Sequence, residues 1–208
     1  MEALELVLQF FGIQVPEKSP YEIAGKDRDS LAALFAHLGY RCGAEIGVFR
    51  GVYSEILCAA NPTVKHYCVD PYKKYLNHSK QTELDEAEKE AYGRLLKYNA
   101  HFIRASSVEA ANQFSDGELD YVYIDANHEF PYVVEDIRVW ERKVRSGGIV
   151  SGHDYYVSSW KNSVLHVVPA VVGWTQAYKI HPWFVLGNRA DVKADWSKRY
   201  RTWFWVKP

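Results

Sequence analysis

Polar and glycine residues recur in this chain at the ends of short apolar runs, and their types indicate what they could bind. The first run ends in Glu45-Ile46-Gly47-Val48-Phe49-Arg50-Gly51 and leads into the helical pattern Val52–Ala60. Glycine lets backbone approach a ligand closely, and a helix start offers free N–H groups and the positive end of a dipole. The second run stops at Asp70, the third at Ser106 and Ser107, the fourth at Asp125, Asn127 and His128, and the fifth at His153 and Asp154. One carboxylate after a strand is routine, because acids cap the helix that follows. Carboxylates, hydroxyls or imidazoles after all five runs describe a site. Asp70 stands about 20 residues beyond the glycine turn, where a carboxylate can take both hydroxyl protons of a ribose. His128 and His153 carry side chains that titrate near neutral pH and suit proton transfer. Their plainer readings are a cap on the following helix for His128 and packing under the sheet end for His153.

These residues need a parallel sheet to bring them together, since ligands of open α/β sheets bind beyond the C-terminal strand ends, where the strand order reverses. The periodicity predicts strands over Arg41–Gly47, Lys65–Val69, His101–Arg104, Leu119–Asp125 and Ile149–Gly152. Helical patterns separate them. Asp29-Ser30 reads as the N-cap before Leu31, Leu34, Phe35 and Leu38, and Thr82 with Asp85 as a capping box before Leu84, Ala87, Ala91 and Leu95. A short helix over Val108–Phe114 and a helix with Pro131 in its first turn follow. The latter shows Val133, Ile137, Trp140 and Val144 on one face, and Ser146-Gly147-Gly148 ends it. Val164–Ala177 is helical with a start or kink near Pro169. Trp183–Leu186 and Thr202–Val206 read as an antiparallel hairpin at one sheet edge, joined by a polar connector. The expected fold is α/β: a doubly wound, mostly parallel seven-stranded sheet with helices on both faces and an antiparallel C-terminal edge hairpin. Residues 1–208 read as one domain. Within it, 1–29 form a cap or lid segment, or a homodimer contact; 30–160 form the ligand-binding core; and 161–208 supply a helix and the edge hairpin.

The chain is 48% hydrophobic and 25% charged, the proportions of a soluble globular protein. A net charge of −1 leaves no whole-chain field toward nucleic acid or an anionic membrane. No apolar run is long enough to span a bilayer. The N-terminal residues lack the basic start of a secretory signal, and Cys42, Cys58 and Cys68 show no paired spacing. The expectation is a cytoplasmic protein with reduced, buried thiols and no nucleic-acid or membrane partner.

The nature of the ligand turns on the glycine stretch. Gly-x-Gly-x-x-Gly, the dinucleotide fingerprint, is absent; one acid, Glu45, precedes Gly47 by two residues. A carboxylate so near the turn repels a pyrophosphate and suits an ammonium or sulfonium group. Glu45-x-Gly47-x-x-x-Gly51, with Asp70 after the second strand and Asp125 after the fourth, resembles the class I S-adenosylmethionine-dependent methyltransferases. Ile124-Asp125-Ala126-Asn127-His128, followed by Gly147-Gly148-Ile149-Val150-Ser151-Gly152-His153-Asp154-Tyr155, is similar to a narrower set, the small-molecule and sugar O-methyltransferases of the macrocin type. The likeness covers roughly residues 30 to 160.

The resemblance implies S-adenosyl-L-methionine as cofactor and a small-molecule or sugar acceptor. Gly47 and Gly51 would approach the methionine part, Glu45 its amino group, Asp70 the ribose hydroxyls and Ser107 the adenine, with Asp125 beside the methyl group. The family usually has an acid just before that serine, where this chain has Ser106. Asp125, His128 and His153 are then the candidate catalytic residues. Relatives with acids at the fourth and fifth strand ends hold a divalent cation, which makes Asp125, His153 and Asp154 candidate ligands here for Mg²⁺ or another divalent cation. Histidine shifts the preference toward Mn²⁺, Fe²⁺ or Zn²⁺. Tyr155, Tyr156 and Trp160 are candidates for the acceptor site, whereas Trp203 and Trp205 fit the core better. The competing readings are a nicotinamide-dependent oxidoreductase, disfavoured by the missing glycine; a non-catalytic module of the same fold; and a metal-dependent hydrolase built on the Asp/His cluster alone.

Overall fold

Alternating apolar runs and helical patterns fold here into a single mixed sheet covered on both faces. The computed structural model describes residues 2–74, 80–158 and 164–208. In chain order the elements are α1 (Ala3–Phe11), β1 (Tyr21–Ile23), α2 (Arg28–His37), β2 (Cys42–Ile46), α3 (Val52–Ala60), β3 (Lys65–Val69), α4 (Gln81–Leu95), β4 (Ala100–Ile103), α5 (Ser107–Ala111), β5 (Leu119–Ile124), α6 (Phe130–Lys143), β6 (Val144–Tyr155), α7 (Val167–Ala177), β7 (Trp183–Leu186), α8 (Arg189–Ala194), a short 3-10 turn (Trp196–Arg199) and β8 (Arg201–Val206).

The strands lie in the order β1-β7-β8-β6-β5-β2-β3-β4. The sheet therefore has eight strands rather than seven. The extra one is Tyr21–Ile23, which pairs parallel with β7 from Tyr21↔Phe184 to Ile23↔Leu186. It also displaces the hairpin from the edge: β8 runs antiparallel between β6 and β7, and β1 closes that side. The strand order reverses at β2, which has β3 on one flank and β5 on the other, so the Gly47–Gly51 turn stands at the switch point.

Alternate residues of the parallel strands feed two cores. Tyr121, Tyr123, Cys68 and Phe204 face α1 to α4 through Val7, Leu31, Leu34, Phe35, Leu57 and Ala91. Ala44, Ile46, Val122, Val150, Trp203 and Trp205 face α5 to α7 through Ala110, Val133, Ile137, Trp140 and Val171. Trp203 and Trp205 are core residues, and Tyr155 joins them rather than an acceptor site, 7% exposed and edge-on to Trp183. Cys58 and Cys68 are buried free thiols, while Cys42 is only half-buried. Among the described residues no helix is long and apolar enough to cross a membrane.

Several local expectations shift. Asp27, not Asp29, caps α2; its side chain accepts from the Ser30 amide at 3.1 Å, and Ser30 reciprocates. The expected Thr82 cap is absent, because α4 begins at Gln81, whose side chain bridges Tyr72 O and Asp85. Ser106 caps α5 in a capping box with Glu109. Ser146–Gly148 lie inside β6, where the pairing with β5 slips between Val144 and Ile149. Trp160 lies outside the described residues.

Candidate active site

The turn after β2 is left-handed at three of its five positions: Gly47 (φ 90), Phe49 (φ 49) and Gly51 (φ 71). A Cβ at Gly47 would overlap the Asp125 carbonyl, because β2 and β5 converge there, and one at Gly51 would lie 3.0 Å from Ala91 Cα. Both glycines are thus required by close packing at the switch point. Asp70 secures the same turn. Its Oδ2 accepts from the amides of Val48 (3.1 Å) and Phe49 (2.9 Å), and its Oδ1 from Tyr72 N (2.8 Å). The amides that a pyrophosphate would require are therefore already facing a carboxylate.

Glu45 is placed differently from the expectation of a residue beside a ligand's amino group. It is 2% exposed, its carboxylate accepts from Ser54 Oγ, and His66 Nε2 is 3.9 Å away. His66 Nε2 also meets Ser54 Oγ at 3.1 Å, and its Nδ1 meets Tyr121 Oη at 2.9 Å. His66 and Tyr121 are both in register with Gly43, and the Tyr121 ring fills the space a side chain at Gly43 would take. Burial pushes the Glu45 carboxyl pKa up against the opposing bonds from His66 and Ser54. Repulsion of a pyrophosphate falls to Asp70 instead. His66, Ser54 and Tyr121 escaped the sequence reading; the available signal was a glycine in the middle of a buried strand.

Ser107 is also turned away from the strand end. Its hydroxyl donates to Asp136 and accepts from Trp140 Nε1 at 2.9 Å, both on α6. Burial raises the Asp136 pKa to about 7, against the bond from Ser107.

Asp125, His128, His153 and Asp154 do come together. Asp125 follows β5, with its amide on Ile46 O. Asn127 Oδ1 accepts from Glu129 N at 2.9 Å, and Glu129 rather than His128 occupies the N-cap of α6. That frees His128 Nε2 to reach Asp154 Oδ2 at 2.8 Å and Asp125 Oδ1 at 3.5 Å. His153 Nδ1 lies 3.1 Å from Asp154 Oδ1 and 3.6 Å from Asp125 Oδ2. Asp154 has φ 57 and sits where the pairing of β6 with β8 slips between Gly152 and Tyr155, a bulge that re-aims its side chain. Trp203 Nε1 donates to His153 O at 3.1 Å and fixes the bulge from β8.

The charges are mutually supporting. Burial alone lowers the His128 pKa, but bonds and attraction from Asp125 and Asp154 outweigh it and push the value up to about 10. The same balance raises His153. Burial alone would raise Asp154, yet the two imidazoles hold it well below the usual carboxylate range. The side chains of His128, Asp125, His153 and Asp154 remain 35%, 23%, 17% and 12% exposed, so the cluster is open to a ligand. Asp125, His128 and Asp154 each offer a ligand atom within 4.8 Å of the others. His153, the histidine expected in that set, meets the opposite oxygens of Asp125 and Asp154.

His153 also borders a cavity of about 380 Å³, whose wall includes Ile56 of α3, the helix that follows the glycine turn. Its other walls come from the residues after β1, the end of β7 and the start of β8. Tyr156 is half-buried with its ring 5.5 Å from that of Tyr200 in the cavity wall.

Comparison with known proteins agrees with this architecture. A methyltransferase-domain family model matches residues 44–155. The uncharacterized protein R132 of Acanthamoeba polyphaga mimivirus is 26% identical over 100 residues, 42% of this chain and 44% of that protein. An O-methyltransferase family protein from Burkholderia thailandensis superposes with a TM-score of 0.58 at 14% identity, covering 86% of this chain and 59% of its own. The O-methyltransferase TomG from Streptomyces achromogenes, involved in tomaymycin synthesis and solved in complex with SAM, superposes at 0.59 with 17% identity over 100% of this chain and 91% of its own. This chain thus spans less than half of the viral relative and about three-fifths of the Burkholderia protein, and at these identities the structural likeness establishes a shared fold. With the family model extending from the strand of the glycine turn to the bulge at Asp154, the chain belongs to the methyltransferase-domain family.

Proposed function

We propose that this chain binds S-adenosylmethionine over the Gly47–Gly51 turn and transfers its methyl group to a hydroxyl of a small-molecule or sugar acceptor. The observation that carries the reading is the convergence of Asp125, His128, His153 and Asp154 beside that turn. Family membership supports the reaction class, and the likeness in fold to TomG, a SAM complex, supports the cofactor.

In this reading Asp70 has a double part. Three of the roughly four acceptor positions of a carboxylate are taken by the amides of Val48, Phe49 and Tyr72. One is left on Oδ1 for a ribose hydroxyl. Asp125 places negative charge near the sulfonium. His153 carries the proton: its Nδ1 is held by Asp154, its Nε2 has no hydrogen-bond partner among the described residues, and the residue lines the cavity. As the acceptor oxygen attacks the methyl carbon, its proton passes to Nε2, the S–CH₃ bond breaks, and S-adenosylhomocysteine leaves. Most of the rate comes from holding oxygen, methyl and sulfur in line.

Asp125, His128 and Asp154 fit a divalent cation by donor chemistry, two oxygens and one imidazole nitrogen suiting Mn²⁺, Fe²⁺ or Zn²⁺ better than Mg²⁺. Bound there, such an ion would lower the pKa of the acceptor hydroxyl. His128 has to release its Nε2 proton to act as a ligand. Calorimetric titration with S-adenosylhomocysteine, with and without Mn²⁺, tests the proposal. Micromolar binding supports it, and absence of binding rejects it.

A further inference from the structure

We infer that the acceptor carries an anionic group, a carboxylate or a phosphate, seated in the cavity beside His153 against Lys26, Arg28 and Lys198. The inference rests on the methyl-transfer reading only in naming the occupant as the acceptor.

The cavity brings cations together from separate parts of the chain. Lys26 and Arg28 lie between β1 and the first turn of α2, and Lys198 lies in the 3-10 turn before β8. None of the three is in an ion pair among the described residues, whereas Arg201, in the same wall, is paired with Glu22 at 2.6 Å. Arg28 stacks over Tyr53 at 5.2 Å, a contact that orients the guanidinium without using its N–H donors. It is also near enough to His153 for its charge to act on that imidazole.

Three acids line the same cavity and keep their charges, but none of them is in an ion pair with Lys26, Arg28 or Lys198 among the described residues. Asp27 is spent on the cap of α2. Asp191 Oδ2 accepts from Gly25 N and Asn188 N, both at 2.9 Å, and those bonds, with the charges of Lys198 and Arg201, hold it ionised. Asp29 sits in the first turn of α2, where the helix dipole balances it. The oxygens of Asp27 and Asp191 are taken up by local donors, and Lys198 also acts on Asp191 through its charge, which leaves Lys26 and Arg28 lining the cavity without an acid of their own among the described ion pairs. About 380 Å³ is the size of a small-molecule site. With His153 at one end and Arg28 on the wall, it would hold an anionic group while presenting a hydroxyl to the cluster.

Two matched probe pairs test this on the full chain, with and without S-adenosylhomocysteine: 4-hydroxybenzoate against 4-hydroxybenzamide, and glycerol 3-phosphate against glycerol. Backbone amide shifts of Lys26, Gly187 and Tyr200 report occupancy. At least one anion is expected to shift them with an affinity tenfold or more above its neutral twin, and the responding pair identifies carboxylate or phosphate. Lys26→Gln/Arg28→Gln should weaken that anion at least fivefold while leaving the affinity for S-adenosylhomocysteine unchanged. If that variant loses its dispersed spectrum, Lys198→Gln makes the same comparison. Equal binding of the neutral twin, no shift from either anion, or full anion binding by the folded variant overturns the inference. Failure of the wild-type chain to bind S-adenosylhomocysteine would instead reject the methyl-transfer reading, and the probe result without it would still decide the anion site.

Discussion

Two carboxylate–imidazole groups are built into neighbouring strands of this sheet, and burial gives them different work. Glu45 and His66 face α3 from β2 and β3, where Ser54 and Tyr121 complete their hydrogen bonds and nothing is open to solvent. Asp125 and Asp154 meet His128 and His153 past the ends of β5 and β6, where all four side chains keep partial exposure and His153 Nε2 has no hydrogen-bond partner among the described residues. The chemistry of the two groups is alike. A closed network can only hold strands together, whereas one with an unfilled position can exchange a proton or hold an ion.

The largest contrast comes from replacing one imidazole in each group. His153→Gln is expected to lower methyl transfer by about 10²- to 10⁴-fold, with thermal stability and cofactor affinity near wild type. The wild-type rate should rise with pH on the alkaline side of 6.5, because His153 accepts a proton only when neutral and its pKa is raised. That rise should vanish in the variant, and a variant of undiminished rate would remove His153 from the mechanism. His66→Leu should do the reverse. It strands Ser54, Glu45 and Tyr121 and should cost about 3 kcal/mol in urea denaturation, with turnover per folded molecule preserved. Adding Glu45→Met should restore part of that stability, because an apolar pair replaces a stranded acid.

Ion binding should separate the groups next. Mn²⁺ at about 100 times its dissociation constant should stabilise the chain by about 2.7 kcal/mol, release a proton near pH 7.5 and lose its effect in Asp154→Asn; an unaltered response in that variant would place the ion elsewhere. Stability against pH gives a smaller signal with a definite sign. The raised His128 pKa contributes stability that is complete below its ordinary value of 6.5 and lost as pH rises through about 10. The depressed Asp154 contributes above its ordinary 3.8 and is lost as pH falls through its lowered value. The urea midpoint should therefore fall between pH 7 and 10.5 in wild type and remain flatter in His128→Gln.

Much of this contrast was legible in the sequence, and what was not has physical causes. The order of apolar runs located β2 to β5, β7 and β8 to within a residue or so, because all of these but the edge strand β4 bury most of their residues, whereas β6 read only as Ile149–Gly152 within Val144–Tyr155. β1 is three residues long, too short to show a period, and its partner β7 lies some 160 positions away in the chain, so the hairpin read as an edge. Strand-end positions of Asp70, Asp125, His128, His153 and Asp154 were readable because parallel strands place their ends at one side. Side-chain direction was not: Glu45 and Ser107 lie beside the right strand ends, yet point into α3 and α6. That His128 as well as His153 meets Asp154 depended on the bulge there, a φ 57 residue that no pattern of apolar spacing announces.

Asp136 provides the smallest test, since it is buried like Glu45 but has fewer partners. Its only described side-chain bond comes from Ser107, and burial raises its pKa to about 7. An acid whose pKa is higher folded than unfolded costs stability as pH climbs from the ordinary 3.8 toward 7, after which the loss is constant. Asp136→Asn keeps the acceptor for the Ser107 hydroxyl and removes the charge. It should match wild type near pH 4 and be the more stable of the two at pH 8, measured by urea denaturation at both values. A variant less stable at pH 8 would mean that the ionised carboxylate has a cationic partner, and would move Asp136 from the closed kind of acid to the open kind.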